Sequence, residues 1–247
     1  MEGQLLIVNA DDWGGWKEAT DTAHACHSKG RITSVSAMVF MEDSARAAEL
    51  AKQSGVDAGL HLNLNQRFTQ ATCPPRLLEH QDRTRCFLRS GRYAQLIYNP
   101  LLRTDFEYVY RAQVEEFARL YSRAPSHIDG HQHMHLCANM LVGRYVPRGE
   151  KVRRNFSFWP GEKGLLNRVY RHLIDGWLAR RYRLTDYFFS LAQCLKAQRL
   201  DRVVALAKVA KVELMAHPEK SEEFVWLMSD GYASATQGLF VAPYSAL

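Results

Sequence analysis

The sequence holds few cysteines, and none is placed to build a framework. Cys26, Cys73, Cys86, Cys137 and Cys194 are odd in number, scattered, and never spaced as CxxC. A disulfide scaffold or a cysteine-type zinc site is therefore not expected, whereas a reducing compartment is. Long apolar runs are missing too, since no stretch approaches the roughly 18 to 20 apolar residues of a membrane span. The first residues carry Glu2 and an apolar run of only four residues, "LLIV", with acidic residues close behind. That is not the pattern of a secretory leader, so a cytoplasmic protein is the expectation. There is no internal repeat and no low-complexity tract. The net charge is +6, but the basic residues are diffuse. The small clusters "KVRRNF" (151–156) and "ARRYRL" (179–184) read as solvated basic faces without a nucleic-acid motif, so no nucleic-acid partner is expected.

What is present is a chain of 247 residues, 47% apolar, long enough for one large domain. Short apolar runs alternate with longer amphipathic ones. "QLLIVNA" reads as a fully buried strand, "ITSVSAMVF" as a β-branched second strand and "DAGLHLNL" as a third. Between them, "WKEATDTAHACHSKGR" and "MEDSARAAELAKQSG" read as helices stopped at Gly30 and Gly55. An irregular piece over about 65–103 is too long for an ordinary connection and is expected to be a lid or substrate-binding excursion. A core-packing helix follows at 105–123, with Phe106, Val109, Val114, Phe117, Leu120 and Tyr121 near one face. Further strands are expected around 151–157 and 211–217, and helices around 164–181, 198–208 and 221–228. Alternating strands and helices imply an α/β fold with parallel pairing, in which chemistry gathers where strands stop.

Three polar groups fall at such places. Asp11 and Asp12 sit side by side in "NADDWG", just after the first apolar run. Two adjacent carboxylates at a buried strand end repel each other unless something positive lies close. His61 ends the third strand. "HIDGHQHMH" places His127, Asp129, His131, His133 and His135 at a spacing of two, on one side for as long as the chain stays extended. Gly130 interrupts that geometry, so not all five need converge. Imidazoles and a carboxylate together suit a divalent ion, and an open His2Asp set suits catalysis. One aspartate would ligate the ion; the other would stay free to act on water beside it. A fourth element, "ELMAHPEK" (213–220), brings His217 to the same rim as a candidate general acid. Arg153 and Arg154 are candidates to orient an acidic group or touch substrate, and Asp186 to support His217 or an arginine. Trp13, Trp16, Trp159, Trp177 and Trp226 are core residues by default.

"LLIVNADDWG", "ITSVSAMV", "GLHLNL", "HIDGHQHMH" and "ELMAHPE", in that order, resemble the YdjC-like carbohydrate deacetylases, a group that includes chitooligosaccharide deacetylases and hopanoid-pathway deacetylases. The resemblance covers most of the chain and is weakest over about 65–103 and 158–200. It implies a single-domain, irregular TIM-like (β/α) barrel that hydrolyses an acetyl group from an acetylated sugar. It also implies a divalent ion, magnesium first and zinc as the alternative. Carried over by motif, Asp11 resembles the catalytic base, and Asp12, His61 and His131 resemble the metal ligands. His217 resembles the late histidine of the family. His127, Asp129, His133, Arg153 and Asp186 are candidates for supporting the ligands or touching substrate. The family usually shows "DDFG" where this chain has "DDWG", so Trp13 is expected to reshape the pocket.

Two other readings use the same residues. His127, His133 and His135 could hold a second ion, as in a two-metal phosphoesterase. A sugar or metal sensor would keep the ligands, but has no use for a spare carboxylate such as Asp11. A homodimer, the commonest soluble assembly, is the expectation for oligomeric state.

Overall fold

The computed structural model describes residues 3–159 and 161–247. In chain order, the strands and helices are β1 (Leu5–Trp13), α1 (Lys17–Ser28), β2 (Ser34–Ala37), α2 (Ser44–Ser54), β3 (Asp57–Leu62), α3 (Pro75–Arg89), α4 (Arg103–Tyr121), β4 (Ile128–Gly130), α5 (Ala138–Gly143), α6 (Leu165–Ala179), β5 (Tyr187–Ser190), α7 (Leu191–Lys196), α8 (Leu200–Ala207), β6 (Lys211–Ala216), α9 (Ser221–Met228) and α10 (Asp230–Thr236). The strands form one curled, all-parallel sheet in the order β4-β3-β2-β1-β6-β5. All nine residues of β1 are buried, which is why its first four residues, Leu5 to Val8, are apolar without alternation. No helix among the described residues is long and apolar enough to cross a membrane.

The parallel α/β character expected from the alternation is present. The ladder itself contains six strands, and β4 and β5 are its edges. The expected strand at 151–157 crosses between those edges by single-residue bridges instead of a regular ladder: Ile128 pairs Val152 and Lys151 pairs Arg183. Ser157 N–H then donates to Phe188 O at 2.8 Å. β5 itself had no counterpart in the sequence reading.

The stretch 65–103 is less irregular than its composition implies. It contains α3, fifteen residues long, with a proline in its first turn. Its buried stripe is Leu77, Gln81, Thr84 and Leu88, so half the inward positions are polar. Gln81 is satisfied there, accepting from Phe68 N–H at 3.2 Å and donating to Gln66 O at 2.7 Å. A hydrophobic-period test cannot see such a helix.

Helices cover the outside of the sheet, while the inside is narrow and polar. Gly59 on β3 shows how narrow, because a Cβ there would lie 2.3 Å from the His127 ring. At the strand-start end the segment 241–247 closes the interior. Val241 pairs Leu6, and Tyr244 packs with Leu5, Ile7 and Ala242 in a small apolar cluster. Burial of each such large side chain contributes on the order of 1.5–3 kcal/mol.

Candidate active site

Adjacent residues of a strand face opposite sides of the sheet. Asp11 and Asp12 nevertheless both turn toward the interior. The β1–β2 register shifts between Ala10 and Trp13, and Asp12 takes φ of 61°. This bulge breaks the alternation and brings two consecutive carboxylates to one cavity. Trp13 turns the other way. It is fully buried, with Nε1 donating to Ala47 O at 3.2 Å, so it belongs to the layer between β1 and α2. The expectation that it reshapes the pocket is not met.

Asp12 Oδ1 lies 2.9 Å from His131 Nδ1 and 3.3 Å from His61 Nε2. One ligand atom from each of the three residues lies within 4.8 Å of the others. His61 is aimed by Asp129, whose Oδ1 is 2.8 Å from Nδ1, so Nε2 is left facing Asp12. A carboxylate behind an imidazole fixes its tautomer and orientation as a metal ligand. Burial opposes the charge on Asp12, yet hydrogen bonds from His131 and His61 hold it well below the ordinary carboxylate range. Burial alone would depress His61, but Asp129 and Asp11 push its imidazole up to about 10.

Asp11 faces a different partner. Arg153, with no exposed surface, donates from Nη1 to Asp11 Oδ2 at 2.8 Å and from Nη2 to Oδ1 at 2.7 Å. The same guanidinium reaches Asp129 Oδ2 at 2.7 Å and donates from Nε to Glu213 Oε1 at 2.8 Å. Its planar fork of donors suits this many carboxylate contacts. Burial opposes ionisation of Asp11, and Arg153 and then His61 overcome it and hold the carboxyl below its usual range. Asp11, Asp129 and Glu213 are buried around this one permanent cation, whereas Asp12 has only imidazoles beside it. Positive charge is therefore scarce, and a divalent cation beside Asp12 would restore the balance.

His217 follows β6 at the same rim. Its Nε2 is 3.9 Å from Asp12 Oδ2, and its backbone N–H donates to Glu223 Oε2 at 2.9 Å. Its Nδ1 and Glu223 Oε1 are 4.0 Å apart, both buried and both without a hydrogen-bond partner among the described residues. Burial holds His217 below its ordinary value and pushes Glu223 up to about 7.

The other histidines of the cluster diverge. His127 lies deeper, stacked on Tyr244 with ring centroids 3.8 Å apart, and its Nε2 is 3.1 Å from Ser36 Oγ. Gln132 and His133 take φ of 51° and 60°, which turns the chain away from strand geometry. His133 then packs edge-on to Phe156, and His135 Nε2 meets Arg153 O at 3.0 Å. Burial pushes His127 and His135 down to about 4 and His133 to about 3. These three do not gather a second ion. The second convergent group among the described residues, Asp11, His61 and Asp129, already holds Arg153.

Asp186 is not at the site. It is exposed at the start of β5, and its carboxylate accepts from Lys211 N–H at 2.8 Å, at the opposite end of parallel strands. Arg154 lies outside as well, with Nη2 donating to Asp175 at 2.8 Å.

Glu213, Glu223 and Tyr244 are the residues that sequence reasoning missed. Glu213 carried a signal, as the lone acid in the apolar strand "VELMA". Glu223 carried a weaker one, in the first turn of the helix after His-Pro. Tyr244 carried none.

This arrangement can be set beside known proteins. The family model described as YdjC-like protein matches residues 5–237. The chain belongs to the YdjC-like family. Among similar proteins, a carbohydrate deacetylase of Mus musculus is 28% identical over 249 residues, covering 86% of this chain and 77% of that one. A chitooligosaccharide deacetylase of Yersinia enterocolitica is 26% identical over 237 residues, covering 93% and 86%. A crystal structure from Enterococcus faecalis V583, titled a "putative cellobiose-phosphate cleavage protein", superposes with a TM-score of 0.69 at 17% identity, covering 99% of both chains. At that identity the likeness concerns the fold alone.

Proposed function

We propose that this chain is a divalent-metal-dependent carbohydrate deacetylase that removes the acetyl group from an N-acetylated sugar. The observation that carries the reading is the convergence of Asp12, His61 and His131, with Asp11 beside them on a separate partner. The relatives named as carbohydrate and chitooligosaccharide deacetylases support it.

In this reading Asp12, His61 and His131 hold the ion. Magnesium is the ion implied by family resemblance, while two imidazoles and one carboxylate also suit zinc. Such an ion supplies Lewis acidity, making the acetyl carbonyl more electrophilic and a neighbouring water more acidic. Asp11, kept ionised and oriented by Arg153, takes the proton as water attacks. His217 hands a proton to the departing sugar amine, with Glu223 on its other nitrogen side to orient it. A cavity of about 760 Å³ begins beside the site at Gln132 and His133 and is lined by Tyr93, Phe156, Tyr170 and Arg171. Its rings offer flat apolar faces for the rest of the glycan.

We read the curled sheet with its 151–157 crossing as an irregular TIM-like barrel in one domain, with 65–103 as the substrate-side excursion. A cytoplasmic location and a homodimer complete the proposal.

Acetate release from N-acetylated oligosaccharides, with and without a chelator, tests the activity. Calorimetric titration of the metal tests the roles. Asp11→Asn loses turnover but binds metal, whereas Asp12→Ala and His131→Ala lose both. Equal metal affinity in all three variants would overturn the ligand assignment. Bound metal near two per chain would favour the phosphoesterase reading instead.

A further inference from the structure

The segment 241–247 lies outside the stretch matched by the family, yet it reaches into the charged interior. Its anchors are on the strand starts. Tyr244 N–H donates to Ser34 Oγ at 2.9 Å, Ser245 N–H to Asp57 Oδ2 at 3.2 Å, and Lys151 Nζ to Ser245 O at 2.8 Å. These contacts thread the Tyr244 side chain into the sheet's interior, where it has no exposed surface and stacks on His127 at 12°. The phenol donates to Glu213 Oε2. Glu213 Oε1 accepts from Arg153 Nε, and the other end of that guanidinium holds both oxygens of Asp11.

We propose that Tyr244 is a positioning residue for the reaction, fixing the orientation of Asp11 through Glu213 and Arg153. The proposal rests on Asp11 being the base. A guanidinium is a rigid plane, so its orientation toward Asp11 is set by its other carboxylate contacts: Asp129 on Nη1, and the grip on its Nε edge. That grip comes from one oxygen of Glu213, and the carboxylate is itself held in rotation by the phenol on its other oxygen. Without the phenol, Glu213 Oε2 is a buried acceptor with no donor. The donors still paired with Glu213 are then Nε and Nη2 of Arg153, so the carboxylate turns toward them and draws the guanidinium from its bidentate seat on Asp11. A side chain at the floor of the fold thereby sets the geometry at its mouth.

Tyr244→Phe keeps the ring, its stack on His127 and every backbone anchor, and removes only the hydroxyl. The expected result is a fall in kcat for acetate release of about 10- to 100-fold, the usual effect of losing a group that supports a metal-site residue. KM, metal affinity and fold by circular dichroism stay at wild-type values. Glu213→Gln costs a comparable factor, and the double variant costs little more than the larger single one, because both act along one chain. Lys151→Met, which frees an anchor of the same segment but touches neither Glu213 nor Arg153's head, keeps full kcat. Wild-type kcat in Tyr244→Phe, losses that multiply in the double variant, or an equal loss in Lys151→Met would each overturn the proposal. Asp11→Asn is assayed in parallel. If that variant turns over, the base assignment fails and the relay with it; if it is dead while Tyr244→Phe is fully active, the relay alone fails.

Discussion

The interior of the sheet and the rim beside α6 invert the usual distribution of side chains. Inside, Asp11, Asp12, Asp129, Glu213 and Arg153 are buried together. On the rim, Leu165, Leu166 and Leu173 are 74%, 87% and 66% exposed. Buried charge survives only where geometry pairs it, so the interior is rigid by necessity. Exposed apolar surface next to a cavity is a place for contact with something else. Under the proposed function, chemistry is thus assigned to the part of the molecule where buried charges are paired, and recognition to the part left uncovered.

The sharpest way to break this contrast is to remove the interior cation. Arg153→Met leaves three carboxylates without their partner, and loss of one member of a buried ion pair costs about 3–5 kcal/mol. Chemical denaturation is expected to show at least that loss, and acetate release to vanish. A variant of wild-type stability would mean that the interior charges are not interdependent.

His217→Ala acts on chemistry without touching the interior pairs. Its kcat is expected to fall by about 10²–10⁴-fold with the metal still bound, the usual range for a general acid. Glu223→Gln should fall less, since it works through His217. Steady-state kinetics checks both, and an unchanged rate in His217→Ala removes it from the mechanism.

Acidification probes the interior from another side. His127 is held down to about 4 by burial. In the unfolded chain its imidazole returns to about 6.5. Between those values the unfolded state binds the extra proton, so stability drops as the pH falls from about 6.5 to 4. The slope from this one group is up to about 1.4 kcal/mol per pH unit. His127→Gln, which does not titrate, should flatten the curve of unfolding free energy against pH by that amount. An unaltered slope would place the proton uptake elsewhere.

The rim should give the smallest response. Leu166→Asp is expected to change stability by less than about 0.5 kcal/mol. Its effect belongs in KM for the glycan, by under about tenfold, with kcat unchanged. A large stability loss would show that the rim is covered by the chain's own packing.

How far the sequence foretold this arrangement depends on what each residue's signal was. β1, β2, β3 and β6 were legible because each holds apolar or β-branched residues over a short stretch bounded by turn residues or helical patterns. Asp12, His61 and His131 were singled out by motif resemblance, since the residues alone left open which carboxylate and which histidines converge. β5 was not, since its four residues give no period. α3 was hidden by Gln81 and Thr84 in its buried stripe, and Asp186 was misplaced because sequence does not say which end of a strand a neighbour occupies. The partner of Arg153 at Glu213, and of Glu213 at Tyr244, lies 60 and then 31 residues away in the chain. No local pattern encodes such a distance.

The bulge at Asp12 has one more implication, for insertions and deletions. The only residues between Ala10 and Trp13 are the two aspartates, so taking out either one would remove a carboxylate and return the other to regular strand alternation. The length of this short stretch, counted in residues, is therefore as strictly required as the identity of its side chains.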